Sequence, residues 1–141
     1  MSGETNLQRL LASISPRLTP GEFVFCSFAN ARYGDFAELE PVAAAAEEEG
    51  LTLVLPKSGA DDSGLHYESV FRRVSLSVHS SLDAVGLTAA FSARLAERGI
   101  SANVIAGYYH DHIFVQADHA QAAVDALEDL ARQASTGVGD K

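Results

Sequence analysis

A single cysteine stands among the 141 residues, so an internal disulfide framework is excluded. Cys26 sits beside Phe25 in an apolar run, where a thiol serves as a small core residue rather than as a nucleophile. Basic residues are also scarce: ten Lys and Arg face nineteen Asp and Glu, a net charge of −9. Phosphate backbones are gripped by cationic side chains, and this balance argues against a nucleic-acid partner. No apolar run approaches the roughly 20 residues that cross a bilayer, and the start, Met-Ser-Gly-Glu-Thr-Asn, has no basic stretch leading into an apolar one. The expected protein is soluble and cytoplasmic, without membrane contact. What is plentiful is apolar material, 47% of the residues, enough to build one compact domain or two small interlocked ones.

The most ordered pattern runs from Val74 to Val115. Val74, Leu76 and Val78 alternate with Ser75, Ser77 and His79, the period of a strand with one buried face. Ser80 to Asp83 supply short polar side chains suited to capping a helix, and Ala84, Leu87, Phe91 and Leu95 line one helical face. Gly99 ends that helix by turning left-handed without strain. Ile100, Ala102, Val104 and Ala106 resume the two-residue period, and Ile113 with Val115 mark a third strand. The unit reads strand, helix, strand, strand.

Before it, Leu7, Leu10, Leu11 and Ile14 keep helical spacing up to Pro16, and Thr19-Pro20-Gly21 is turn chemistry. Phe23 to Phe28 is dense enough in apolar residues for an interior strand buried on both faces. The irregular Ala29–Phe36 loop is a second place for a ligand. Glu38 to Glu49, rich in alanine, reads as a helix ended by Gly50, with Glu47, Glu48 and Glu49 solvated. Leu51 to Leu55 forms a strand closed by Pro56, and Lys57 to Gly64 reads as a mobile loop. Tyr67 to Arg73 links the halves as extended chain. Asp118 and Gln121 suit the cap of a last helix lined by Ala120, Ala123, Leu127, Leu130 and Ala134, and Ser135 to Lys141 is expected to fray. Ala46–Val54 and Ala96–Val104 repeat a helix-end, glycine, strand transition about 50 residues apart, the mark of a degenerate duplication.

Asp83-Ala84-Val85-Gly86-Leu87, followed by Glu97-Arg98-Gly99-Ile100-Ser101-Ala102-Asn103-Val104, resembles the signature of the ACT domain, a small regulatory module that binds amino acids. Val85 stands where that family often has proline. The wider stretch from Ser80 to Val115 is similar to small bacterial proteins of two ACT-like units, related in fold to cytosolic arginine sensors. The resemblance implies an α+β fold of tandem, interlocked ferredoxin-like βαββαβ units, with antiparallel sheet covered by helices. An amino-terminal unit would take residues 1–66 and a carboxy-terminal one 67–141. No strand follows the last helix, so the second unit is one strand short, and Phe23–Phe28 is the expected donor of sheet edges across the halves.

The ligand-binding positions implied by the resemblance are Ser80, Ser81, Leu82, Asp83, Ala84, Val85 and Gly86 at the loop before the helix, with Asn103, Val104 and Ile105 on the second strand. A helix amino end offers unpaired backbone donors to a carboxylate, Asp83 suits an α-ammonium, and Gly86 permits close approach by a ligand or by a neighbouring strand. Ser80 and Ser81 have no base or nucleophile elbow beside them, so capping rather than catalysis is their expected role. His110-Asp111-His112 offers three donors to Zn²⁺ or Fe²⁺ only if the strand is regular there. Its position at a hairpin favours hydrogen bonding, and no metal or cofactor is expected. The resulting expectation is a non-catalytic regulator that binds a small amino acid or related metabolite at an inter-unit interface, homodimerises through sheet edges, and acts on an unidentified regulated protein. The competing readings are a metalloenzyme built on His110, Asp111 and His112, and an assembly module without a ligand.

Overall fold

The computed structural model describes residues 6–77 and 85–139. The chain divides into two compact units, one of Met1–Thr19 with Arg73–Lys141 and the other of Pro20–Arg72.

The first unit begins with helix α1, Leu7–Ser13, whose cap is Asn6: its side chain accepts from the Arg9 amide at 3.1 Å. A three-residue strand β1, Pro16–Leu18, follows. The unit then resumes with β5 (Phe71–Leu76), α3 (Leu87–Glu97), β6 (Asn103–Ala106), β7 (Asp111–Gln116) and α4 (Ala120–Gly139). β1 pairs antiparallel with β5, β5 neighbours β7, and β7 pairs antiparallel with β6. This is the strand order of a ferredoxin-like module in which the missing fourth strand comes from the amino terminus. The donor is therefore Pro16–Leu18, while Phe23–Phe28, the expected donor, meets β5 only where Phe23 stands opposite Phe71. A strand of three residues beginning with proline leaves almost no periodicity to read, which is why the apolar Phe23–Phe28 run looked the better candidate.

Alternation along the strands decides the faces. Val74, Leu76, Ile113 and Val115 are buried against Leu10, Leu11, Phe91, Leu95 and Leu127 from the helices. Each such side chain contributes about 1.5–3 kcal/mol when fully removed from water. α1 lies against α4, where Gln8 Nε2 also donates to the Ala134 carbonyl at 2.8 Å. α3 ends as its sequence requires: Gly99 is left-handed (φ 74°), its amide donates to the Ala96 carbonyl, and the Ile100 amide donates to Leu95. That pair of bonds is the Schellman closure.

The second unit is built from β2 (Phe23–Phe28), β3 (Ala43–Glu47), β4 (Gly50–Pro56) and α2 (Lys57–Asp62). β4 lies between β2 and β3, antiparallel to both, and Phe23 also pairs with Phe71 at the start of β5. Val24, Cys26, Leu51, Leu53, Leu55 and Ala60 form its core. Phe23 is buried as well, so β2 is indeed covered on both faces at its start.

Several expectations fail here for physical reasons. The alanine run of Glu38–Glu49 is not a helix: Ala37–Leu39 forms one 3-10 turn, and Ala43–Glu47 pairs with β4 from Ala43 opposite Val54 to Glu47 opposite Gly50. Pro41 disfavours helical geometry at Glu40, which is left-handed (φ 55°), and cross-strand pairing then outweighs alanine's helix preference. Gly50 consequently sits at a hairpin and not at a helix end, so Ala46–Val54 and Ala96–Val104 do not repeat one another in structure. Lys57–Gly64 is no loop through its length, since Lys57–Asp62 is α2, with Pro56 at its cap position. Gln121 bonds to Asp125 at 3.0 Å instead of forming a box with Asp118, which lies in a 3-10 turn. α4 continues through Gly139, well into the stretch expected to fray.

Candidate functional site

Ser80, Ser81, Leu82, Asp83 and Ala84 lie outside the described residues. Val85 and Gly86 are described, and Val85 is 84% exposed. Gly86 occupies the cap position of α3 with φ 98°, and no side chain among the described residues caps the helix there. The first helical bond runs from the Ala90 amide to the Gly86 carbonyl at 2.9 Å, while the amides of the preceding turn have no partner within the helix. A Cβ on Gly86 would stand 3.1 Å from Leu7 Cδ2. The missing side chain therefore makes room for a neighbouring segment, the opening residue of α1, and the left-handed backbone independently favours glycine.

On β6 the three carried-over positions divide between faces. Val104 packs on the helical side of the first unit's core. Asn103 and Ile105 lie on the other side, where Asn103 Nδ2 donates to the Phe114 carbonyl at 3.1 Å and Ile105 stands opposite His112. Among the described residues β6 pairs with β7 alone and ends the strand order, so its outer backbone edge has no partner strand there.

His110, Asp111 and His112 do not converge. The imidazole centroids are 6.2 Å apart, and His112 Nδ1 is 2.8 Å from Ser75 Oγ. Asp111 opens β7 opposite Ala106 and alternates to the face of Ile113 and Val115; burial pushes its carboxyl pKa up. Among the described residues no group of three or more His, Cys, Asp or Glu is arranged to hold a metal ion. The hairpin itself is closed by the Gly107 amide donating to the His110 carbonyl at 2.9 Å, and Tyr108 and Tyr109 stack edge-on at its exposed tip.

Two further places belong to the second unit. The Ala29–Phe36 loop closes on itself: Asp35 Oδ2 accepts from the Arg32 amide at 2.9 Å and Phe36 stacks on Phe28. An open depression of about 500 Å³ lies between Pro20–Phe23 and Pro56–Asp61. Lys57 Nζ bonds Asp61 at 2.8 Å beside it, and Tyr67 donates to the same carboxylate at 2.6 Å. These bonds hold the Asp61 pKa down and raise those of Lys57 and Tyr67. The four-residue spacing of Lys57 and Asp61 was the available sign of this small helix. Cys26 is buried with its thiol directed at the His66 carbonyl, 3.6 Å away, and burial raises its pKa, as befits an unreactive core thiol.

Comparison with known proteins follows this geometry. Residues 2–72 match one ACT-domain family model and residues 68–129 match a second. No curated protein matches the chain. Among solved structures, a Vibrio cholerae protein of unknown function, described as a possible transport protein, is 54% identical, with a TM-score of 0.82 over 89% of this chain and 95% of that one. The regulatory subunit of aspartate kinase from Thermus thermophilus, in its ligand-free form, superposes with a TM-score of 0.62 at 11% identity, over 84% of this chain and 97% of that one. A protein from Agrobacterium tumefaciens gives 0.61 at 14% identity, over 84% and 89%. At such low identities the last two speak for the fold alone.

Proposed function

This chain belongs to the ACT-domain family, and from that premise we propose that it is a non-catalytic regulatory protein whose paired units bind a small amino acid or a related metabolite. The tandem arrangement of two ACT units carries the reading, the same arrangement that serves as a regulatory subunit in the aspartate kinase it resembles in fold. In sequence the proposed division falls near residue 66, with one ACT unit over 1–66 and the other over 67–141, the first lending α1 and β1 to the fold of the second. The binding positions are the approach to α3, from Ser80 through Asp83 and Ala84 to Val85 and Gly86, together with Asn103, Val104 and Ile105 of a partner unit. The amides at the α3 start, uncapped among the described residues, suit the ligand's carboxylate.

Regulation then follows from differential affinity. A ligand that bridges units favours their docked arrangement only by as much as it binds that arrangement more tightly. The open edge of β6 supports homodimerisation, because pairing it with a second copy satisfies its outer backbone groups. The regulated protein is another chain, and the setting is the cytoplasm. Among the described residues no helix is long and apolar enough to cross a membrane.

A thermal-shift screen of the twenty amino acids tests the reading. A ligand at a hundredfold its Kd adds about 2.7 kcal/mol, which for a chain of this size raises Tm by on the order of 5–10 °C. A flat response to all twenty would count against an amino-acid effector.

A further inference from the structure

One residue from each of four strands of the first unit forms a row on the sheet face opposite the helices. Arg17 of β1 stands opposite Ser75 of β5, Ser75 bonds His112 of the neighbouring β7, and His112 stands opposite Ile105 of β6. Arg73, two residues before Ser75, shares that face, and its Nε donates to Thr19 Oγ1 at 3.2 Å. Two guanidinium groups and an imidazole are thus gathered on one patch of a protein that has only ten Lys and Arg against nineteen acids.

The charges feel one another. Burial lowers the Arg73 pKa, and the charge of Arg17 lowers it further. Burial likewise lowers that of His112, with Arg73, His110 and Arg17 adding to the effect. Asp111 alternates to the opposite face, and its raised pKa comes from burial. No ion pair with an acidic side chain among the described residues engages Arg17. Cations held this close repel, and an anion seated among them removes the repulsion.

The geometry points to an oxyanion site on this face: Arg17 and Arg73 grip the oxygens of a phosphate or carboxylate group, and the Ser75–His112 pair adds charge when His112 is protonated. Planar guanidinium forks match two oxygens of such a group, which a lysine does not. His112 Nε2 lies toward Gly107, where a Cβ would be 3.5 Å away, so the imidazole acts through its charge and its bond to Ser75 rather than by direct contact. The site stands whether or not an amino acid binds before α3.

The test follows the imidazole C–H signals of His112 by NMR across a pH titration, at constant ionic strength, in chloride, sulfate, phosphate or acetate. Sulfate keeps its charge through the range and is the primary probe. In sulfate, His112 should titrate at a pH higher by about 1, a tenfold preference of the anion for the protonated form. A matching response to phosphate alone identifies a phosphate-bearing ligand, and one to acetate as well identifies a carboxylate; either supports the site. Arg17→Gln, on an exposed position of β1, should remove the response without unfolding the chain, and Arg73→Gln should do the same where it folds. Identical His112 titration in all four salts, or a full sulfate response in Arg17→Gln, would overturn the assignment.

Discussion

Ser75 Oγ lies 2.8 Å from His112 Nδ1, joining β5 to β7 through a serine that is only 2% exposed. Burial and the nearby Arg73, His110 and Arg17 charges hold the His112 pKa below its usual 6.5. The unfolded chain therefore binds the His112 proton more readily than the folded one, and stability rises with pH in the interval between the two values. The stabilising neutral form is fully present above about pH 6.5 and is lost as pH falls through the folded pKa. Asp111, raised by burial, has the opposite sign: its contribution is present below its usual carboxylate value and is lost as pH climbs through the raised one. Urea midpoints measured from pH 7.5 downward should decline below about pH 6.5, and His112→Gln should flatten that decline while lowering stability at neutral pH.

The donated segment makes a second prediction. Leu10 is fully buried among residues of the first unit, although some sixty residues separate α1 from the resumption of that unit at Arg73. Leu10→Ala should cost about 2–5 kcal/mol and loosen the amides of α3 and α4, which hydrogen exchange would show. Unchanged protection of α4 would mean that α1 is not part of that core.

Gly50 and Gly21 both have positive φ, yet their substitutions should differ. A Cβ on Gly50 would lie 2.3 Å from the Phe28 carbonyl oxygen and 2.9 Å from Ala29 Cα, both backbone atoms. One on Gly21 would meet nothing within 4 Å. Gly21→Ala should cost about 1–2 kcal/mol from the left-handed conformation alone, and Gly50→Ala distinctly more, because β2 must move away from β4. Equal thermal midpoints for the two variants would refute the close approach.

Much of this architecture was legible. Val74 and Leu76, the α3 residues Leu87, Phe91 and Leu95, and Gly99 combine a clear period with a specific stop signal, and each does what its pattern requires. The losses are where local preference and long-range pairing disagree. Alanine favours helix, so Ala43–Ala46 pointed the wrong way, although Pro41 was already a warning. Lys57, Gly59 and Asp62 carry loop-like chemistry that the Lys57–Asp61 pair overrides. Pro16–Leu18 has too few residues to declare itself, and only its pairing with β5 shows that it completes the sheet. At the candidate site, Gly86 is legible as a place of close approach, but the neighbour is Leu7 of α1 rather than a strand, and that depends on a contact between distant segments. The Arg17–Arg73 cluster escaped notice for the same reason, since alternation alone does not say which strands become neighbours.

The account rests on ligand binding where the α3 approach of one unit meets a β6 strand. Amide chemical-shift mapping with the amino acid that most raises Tm addresses this directly. The account predicts the largest shifts at Val85, Gly86 and Asn103–Ile105, and about a tenfold loss of affinity in Asn103→Ala, equivalent to roughly 1.4 kcal/mol. Shifts confined to the Lys57–Asp61 depression, with these amides unmoved, would contradict it.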